Sequence, residues 1–147
     1  MKTKTKIKTK GTSKLFKILK DKAISAMSFS YSPYSKRQVG AALRLSNGKV
    51  FSGCNVENSS FSGTVCAERV AVWKAVSEIG PKTSIVEVVV ATDASPPWSP
   101  CGICRQVINE FAKKDCIIHL VNKNGEIKTY THQELLPHGF DRLALEP

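Results

Sequence analysis

The run Ile85-Val-Glu-Val-Val-Val-Ala91 constrains the fold more than any other stretch. It is nearly continuous in β-branched residues, so it reads as a central strand covered on both faces. Helical segments stand on either side of it. The preceding one is capped by Thr64 and runs to about Ile79, where Gly80 and Pro81 stop it. Its body is apolar almost all round, which predicts a buried helix. The following one takes Ser99 as cap and Pro100 as first residue, and runs to about Ala112. Cys116 to Val121 is the next strand. A strand–helix–strand unit asks for two parallel neighbours in one sheet.

Hairpins complete the sheet. Val39, Ala41, Leu43 and Leu45 alternate with Gly40, Ala42 and Arg44, the pattern of a half-buried strand. Asn47-Gly48 turns it into a returning strand, Val50 to Val56. Asn124-Gly125 repeats the signal between Cys116–Val121 and Glu126–Thr131. Ser13 to Ser28 reads as a helix, with Leu15, Ile18, Leu19, Ala23, Ile24 and Met27 at helical spacing and Ser13 as N-cap. A short helix, Gln133 to Leu136, precedes Pro137. The expectation is a three-layer α/β/α fold, with a five-stranded mixed sheet whose last two strands are antiparallel.

At 147 residues and 41% hydrophobic content the chain suits one domain with a real core. That domain is expected over 13–147, behind a disordered lysine-rich tail at 1–12. The net charge of +10 is largely a property of the start, because residues 1–14 carry six lysines and no acid. The plain reading of this arm is a solvated tail, and the functional one an arm for anionic partners including RNA. No apolar run is long enough to span a bilayer, and no apolar h-region follows the lysines. A cytoplasmic protein is the expectation.

Five cysteines, Cys54, Cys66, Cys101, Cys104 and Cys116, are an odd number and argue against a disulfide framework. Cys54 and Cys116 lie in strand-like runs and read as small buried hydrophobes. The other three stand at helix starts: Cys66-Ala-Glu-Arg69 opens one helix, and Pro100-Cys-Gly-Ile-Cys104 opens the next. Three thiolates can hold one zinc ion and leave its fourth position open, the catalytic arrangement. A helix N-terminus favours the thiolate that zinc requires. A lone C-x-x-C would equally fit a redox or structural site. Glu68 supplies the distinguishing feature, a carboxylate able to move protons beside the open position. Its plain alternative is complementing the helix dipole. Arg69, three residues after Cys66, offsets thiolate charge by hydrogen bonding to sulfur, or else is a surface arginine. His119 reads as a sheet residue, and His132 and His138 as loop or surface.

Taken with Tyr34-Ser-Lys-Arg-Gln-Val-Gly-Ala-Ala-Leu43, Gly53-Cys-Asn-Val-Glu-Asn58, Arg105-Gln-Val107 and Glu134-Leu-Leu-Pro137, these motifs resemble the cytidine deaminases, specifically the small homotetrameric kind acting on free nucleosides. The resemblance runs from about Leu15 to Phe140. It implies zinc, one ion per subunit, on Cys66, Cys101 and Cys104, with Glu68 as proton shuttle. It implies that Asn55 and Glu57 bind the ribose hydroxyls and that the Ala67 backbone N–H holds the pyrimidine carbonyl. Phe61 and Phe140 match aromatic pocket positions, the latter often across a subunit boundary, which implies a homotetramer with shared active sites. The reaction implied is hydrolytic deamination of cytidine and 2′-deoxycytidine to the uridines and ammonia, in pyrimidine salvage. Glu68 would take the proton of a zinc-activated water, pass it to N3 of the base, and help ammonia leave.

Two departures stand out. The family usually has Phe where this chain has Arg37, which implies a substrate range widened to modified cytidines or an arginine turned to solvent. The lysine tail lies outside the family core. Three other readings compete. An RNA-editing deaminase would carry its last two strands parallel, against the Asn124-Gly125 hairpin. A deaminase of an antibiotic such as blasticidin S typically lacks the Asn-Val-Glu-Asn run in this form. A non-catalytic zinc module would have no use for Glu68.

Overall fold

A computed structural model of the chain describes residues 14–140 and Leu145. The expected tail at 1–12 and the Ser13 cap lie outside the described residues.

The first helix, α1, spans Lys14–Met27. Its buried stripe is Phe16, Leu19, Ala23 and Met27, with the i, i+3, i+4 spacing of one helix face. Leu15 (51% exposed) and Ile18 face solvent, so the stripe is rotated from the one expected. Phe16 anchors it by meeting His119 edge to face at 4.6 Å.

Strands β1 (Val39–Leu45) and β2 (Val50–Cys54) form the first hairpin, with Gly48 in the left-handed region its turn requires. The second strand is shorter than expected. Beyond Cys54 the chain leaves the ladder, and Val56 makes isolated bridges to Tyr31 and Val65. The first strand is buried on both faces and not half-buried, because it lies inside the sheet under helices on each side. Its small residues permit this: a Cβ on Gly40 would stand 2.0 Å from the Ala23 carbonyl oxygen.

Helix α2 (Ala67–Ile79) is capped by Cys66, not Thr64. It buries Ala67, Glu68, Ala71, Val72 and Ala75. Trp73 is 49% exposed and Lys74 reaches the Ser52 carbonyl at 2.8 Å, so the expectation of all-round burial does not hold. Helix α2 ends at Gly80, whose positive φ suits a C-terminal stop. Strand β3 (Ile85–Thr92) is buried at all but one position. Helix α3 (Gly102–Phe111) takes Cys101 as its cap, displacing the expected Ser99–Pro100 start. Strand β4 runs Ala112–Asn122 and so begins earlier than expected, with Lys113, Lys114 and Asp115 exposed. After the Gly125 turn come β5 (Ile127–Thr131) and α4 (His132–Leu135). Thr131 and Glu134 form a capping box at that last helix.

The sheet order is β2-β1-β3-β4-β5. Only β3 and β4 are parallel, pairing Val90 with Leu120. The last pair is antiparallel, with Val121 opposite Ile127. One face carries α1 over Ala42, Val89, Ala91 and Val121. The other carries α2 and α3 over Ala41, Leu43, Val88, Val90, Ile118 and Leu120. The architecture is therefore the expected mixed sheet with helices on both sides.

A polar stripe crosses the α1 face. Arg44 donates from Nη2 to Glu87 Oε2 at 2.8 Å, and His119 Nε2 lies 3.3 Å from Glu87 Oε1. His119 Nδ1 meets Thr129 Oγ1 at 2.9 Å. His132 is buried, contrary to its expected surface place, and pairs with Asn109 Oδ1 at 2.8 Å. Cys116 is fully buried as expected, whereas Cys54 is half-buried and donates to the Phe29 carbonyl at 3.4 Å.

Candidate active site

Two helix starts meet beside the C-terminal end of β3. Cys66 and Cys101 hold the N-cap positions of α2 and α3, and Cys104 lies in the first turn of α3. Both caps sit on extended backbone, so each thiol projects from the helix end. The three sulfurs lie within 4.8 Å of one another, with Cys66 Sγ to Cys101 Sγ at 3.9 Å. Tetrahedral zinc with Zn–S bonds of about 2.3 Å needs its sulfurs about 3.8 Å apart. The cluster therefore fits one zinc ion per subunit. Cys104 is buried and Cys101 exposed, and Cys66 and Cys101 line the neighbouring cavity.

The cluster is electrostatically prepared for a cation. A hydrogen bond from the Cys104 thiol, helped by Arg69, pulls Cys66 down to about 5. Cys104, the donor in that bond and buried, is pushed up. Its own backbone N–H donates to Cys101 Sγ at 3.4 Å. Arg69 Nη2 stands 3.9 Å from Cys66 Sγ and 3.1 Å from the Thr64 carbonyl oxygen. The guanidinium also lies over the Trp73 ring at 5.8 Å.

Glu68 occupies the second position of α2 and is only 5% exposed. Burial raises its carboxyl to about 7, and the neighbouring Cys66 charge pushes the same way. It lines a cavity of about 310 Å³ together with Cys66, Cys101, Asn55, Glu57 and Arg37. Ala67, fully buried, begins the helix between Cys66 and Glu68.

Asn55 is buried and largely satisfied from within the protein. Its Oδ1 accepts from Val39 N at 2.9 Å and from the Ser30 hydroxyl, and its Nδ2 donates to the Arg37 carbonyl at 2.9 Å. One N–H of the amide is left over. Glu57 Oε2 accepts from Tyr34 N at 2.9 Å and Ser35 N at 3.1 Å, while Oε1 accepts from the Ser35 hydroxyl. That hydroxyl first, and then the two backbone N–H groups, holds the Glu57 carboxyl below its ordinary range.

Three expected substrate-contact residues, Ala67, Phe61 and Phe140, do not line this cavity. Phe61, 76% exposed, packs edge to face on Tyr34 at 6.1 Å and lines a neighbouring cleft with Glu57 and Thr64. Phe140 is 57% exposed, and its carbonyl accepts from Gln106 at 2.5 Å and Asn109 at 3.0 Å. Conversely, Trp98 lines the cavity and was not singled out by the sequence. Its position three residues before Cys101 was the available signal. Arg105 was also passed over as a positioning residue. It braces the loop before Cys101 by donating to Pro100 O at 2.8 Å, Ser99 Oγ at 2.8 Å and Leu135 O at 3.0 Å.

Known proteins are similar to this chain in sequence and fold. The profile of the cytidine and deoxycytidylate deaminase zinc-binding region matches residues 15–120. A cytidine deaminase of Sporosarcina psychrophila is 47% identical over 113 residues, 77% of this chain and 82% of that protein. One of Halalkalibacterium halodurans is 45% identical over 118 residues, 80% of this chain and 88% of that protein. The crystal structure of a cytidine deaminase from Burkholderia pseudomallei superposes with a TM-score of 0.80 at 38% identity, covering 84% of this chain and 98% of that one. Three thiols at two helix starts, a buried carboxylate beside them and this degree of likeness place the chain in the cytidine deaminase family.

Proposed function

We propose that this protein hydrolyses cytidine and 2′-deoxycytidine to uridine and 2′-deoxyuridine, releasing ammonia, in pyrimidine salvage. The observation that carries the reading is the juxtaposition of Glu68 in one cavity with Cys66 and Cys101 of the three-thiol cluster. Zinc held by Cys66, Cys101 and Cys104 supplies Lewis acidity, which makes water nucleophilic at neutral pH.

The rest of the chemistry belongs to side chains. Glu68, shielded from bulk water, takes the water's proton and gives it to N3 of the pyrimidine. It then takes the second proton from the hydroxyl now on C4 and gives it to the departing amino group, so water and cytidine leave as uridine and ammonia. The Ala67 N–H, at the free end of α2, donates to the pyrimidine carbonyl. Asn55 and Glu57 hold the sugar. The Ser35 hydroxyl and the backbone N–H groups of Tyr34 and Ser35 fix the Glu57 carboxylate for that purpose. Arg69 offsets thiolate charge at Cys66, and Arg37 extends the range to modified cytidines.

The working form is a homotetramer with shared sites. Phe61 and Phe140 are exposed aromatics outside their own subunit's cavity, which supports a role in completing a neighbour's. No helix among the described residues is long and apolar enough to cross a membrane. The proposed setting is the cytoplasm, with no membrane or nucleic-acid partner.

Loss of cytidine absorbance by zinc-loaded protein tests the reading. Glu68→Gln should keep its zinc and lose about 10²- to 10⁴-fold in kcat. Absence of turnover of both nucleosides by zinc-replete wild type would overturn it. Light scattering at working concentration checks the tetramer.

A further inference from the structure

The cavity over the thiols holds a cation with no counter-ion. Among the described residues lining it, Arg37 is the only lysine or arginine, and two carboxylates, Glu57 and Glu68, line it too. It pairs with neither. The ion pairs among the described residues are Arg44–Glu87 and His119–Glu87. The Glu57 oxygens already accept from Tyr34 and Ser35. The Arg37 guanidinium lies instead over the Trp98 ring, 5.6 Å from its centroid.

The guanidinium carbon lies over the ring, and the N–H donors of the group remain available to meet an acceptor. Both partners are anchored through their backbones. The Arg37 carbonyl accepts from Asn55 Nδ2 at 2.9 Å, and its N–H donates to Ser35 Oγ at 3.1 Å. Trp98 N donates to Thr92 Oγ1 at 3.2 Å. Arg37 itself is exposed, with Trp98 as the ring partner of its guanidinium, so its donors are unspent. Trp98 lies three residues before Cys101 and both line the cavity, so the pair stands on the wall that carries this thiol.

We infer that Arg37, placed over Trp98, selects pyrimidine nucleosides whose base carries an oxygen acceptor beside the reacting carbon, as a carboxylate at C5 or an acyl carbonyl on the amino nitrogen. A planar fork and a carboxylate match in geometry and charge, whereas a methyl group at the same place gains nothing from a cation. The inference rests on the deaminase reading. With the carboxylated base, water and 5-carboxycytidine give 5-carboxyuridine and ammonia. With the acylated base, water and N4-acetylcytidine give uridine and acetamide.

The test compares kcat/KM for 5-carboxycytidine, 5-methylcytidine, N4-acetylcytidine, cytidine and cytidine 5′-monophosphate across wild type, Arg37→Phe and Trp98→Leu. Calorimetry of 5-carboxyuridine against uridine runs alongside as a binding readout independent of turnover. In Arg37→Phe the preference for 5-carboxycytidine over 5-methylcytidine, or for N4-acetylcytidine over cytidine, should fall at least tenfold, the scale of a pocket-contact change. The first result places the acceptor at C5 and the second on the amino nitrogen. Trp98→Leu, which frees the arginine, should fall part of the way. Unchanged ratios in both variants would overturn the inference, as would an Arg37-dependent preference for the monophosphate alone. Failure to turn over cytidine at all would overturn the deaminase reading instead, and the 5-carboxyuridine to uridine binding ratio would still decide the role of Arg37.

Discussion

Arg69 folds back along the first turn of α2 so that one nitrogen, Nη2, stands 3.9 Å from Cys66 Sγ and 3.1 Å from the Thr64 carbonyl oxygen. One guanidinium thus fixes the backbone that leads into Cys66 and touches its sulfur. Three thiolates on a divalent ion leave a surplus negative charge, and a cation at the sulfur withdraws part of it. The Arg69 guanidinium carbon also lies over the Trp73 ring, 5.8 Å from its centroid.

Replacing Arg69 with alanine should therefore loosen the metal before it affects the fold. The expected outcome is zinc affinity weakened about 10- to 100-fold, the usual scale for groups that orient a ligand. Competition with a chromogenic chelator measures it. Unchanged zinc affinity would show that Arg69 contributes only its contacts with Thr64 and Trp73.

Glu87 gives a pH prediction far from the site. The hydrogen bond to His119 first, and then Arg44, holds its carboxyl below the ordinary value of 4.5. A folded-state value below the unfolded one means that this stability is fully present above the unfolded pKa. It is lost as pH falls through the folded value. Stability should decline below about pH 4, and Glu87→Gln should flatten that acid limb. At neutral pH the variant should lose about 1–3 kcal/mol, because Arg44 is left half-buried without its partner. Urea unfolding from pH 3 to 7 checks both parts.

The sheet and the thiol site were legible because their signals are local. Two Asn-Gly turns and a β-branched run fix the strand pairing, and C-x-x-C at a helix start fixes the ligand spacing. The caps were misread because Thr64 and Ser99–Pro100 have cap chemistry, whereas the extended backbone at Cys66 and Cys101 actually begins each helix. Phe16 and the double burial of β1 were missed for a tertiary reason. Which face of α1 is buried depends on Gly40 and Ala42 admitting it, which no helical periodicity records. The Arg37–Trp98 pair joins residues 61 positions apart, so neither alone announces it.

Gly40 tests the close approach of α1 to the sheet. A Cβ there would lie 2.0 Å from Ala23 O and 2.6 Å from Met27 N, both backbone atoms that cannot swing aside. Gly40→Ala should cost about 1–3 kcal/mol or more through displacement of the helix. Gly48→Ala meets no atom within 4 Å and pays only for its positive φ, so it should cost about 1 kcal/mol. Thermal unfolding of the two variants side by side should rank Gly40→Ala below Gly48→Ala, and the reverse order would show that α1 is loosely seated.

Metal removal should report on the thiol cluster as a fold element as well as a catalytic one. The cluster joins the starts of α2 and α3, and Cys104 lies in the buried layer between them. A ligand bound only by the folded state stabilises it by RT ln(1 + [L]/Kd), about 2.7 kcal/mol at a hundredfold excess over Kd. The melting temperature of the wild type should therefore rise steadily with buffered free zinc and fall on chelation. Cys104→Ala, which leaves two thiols, should lose most of that dependence while keeping the same sheet. A melting temperature that ignores zinc in the wild type would mean that the two helix starts are held together without the ion, and that any zinc bound there is not linked to folding.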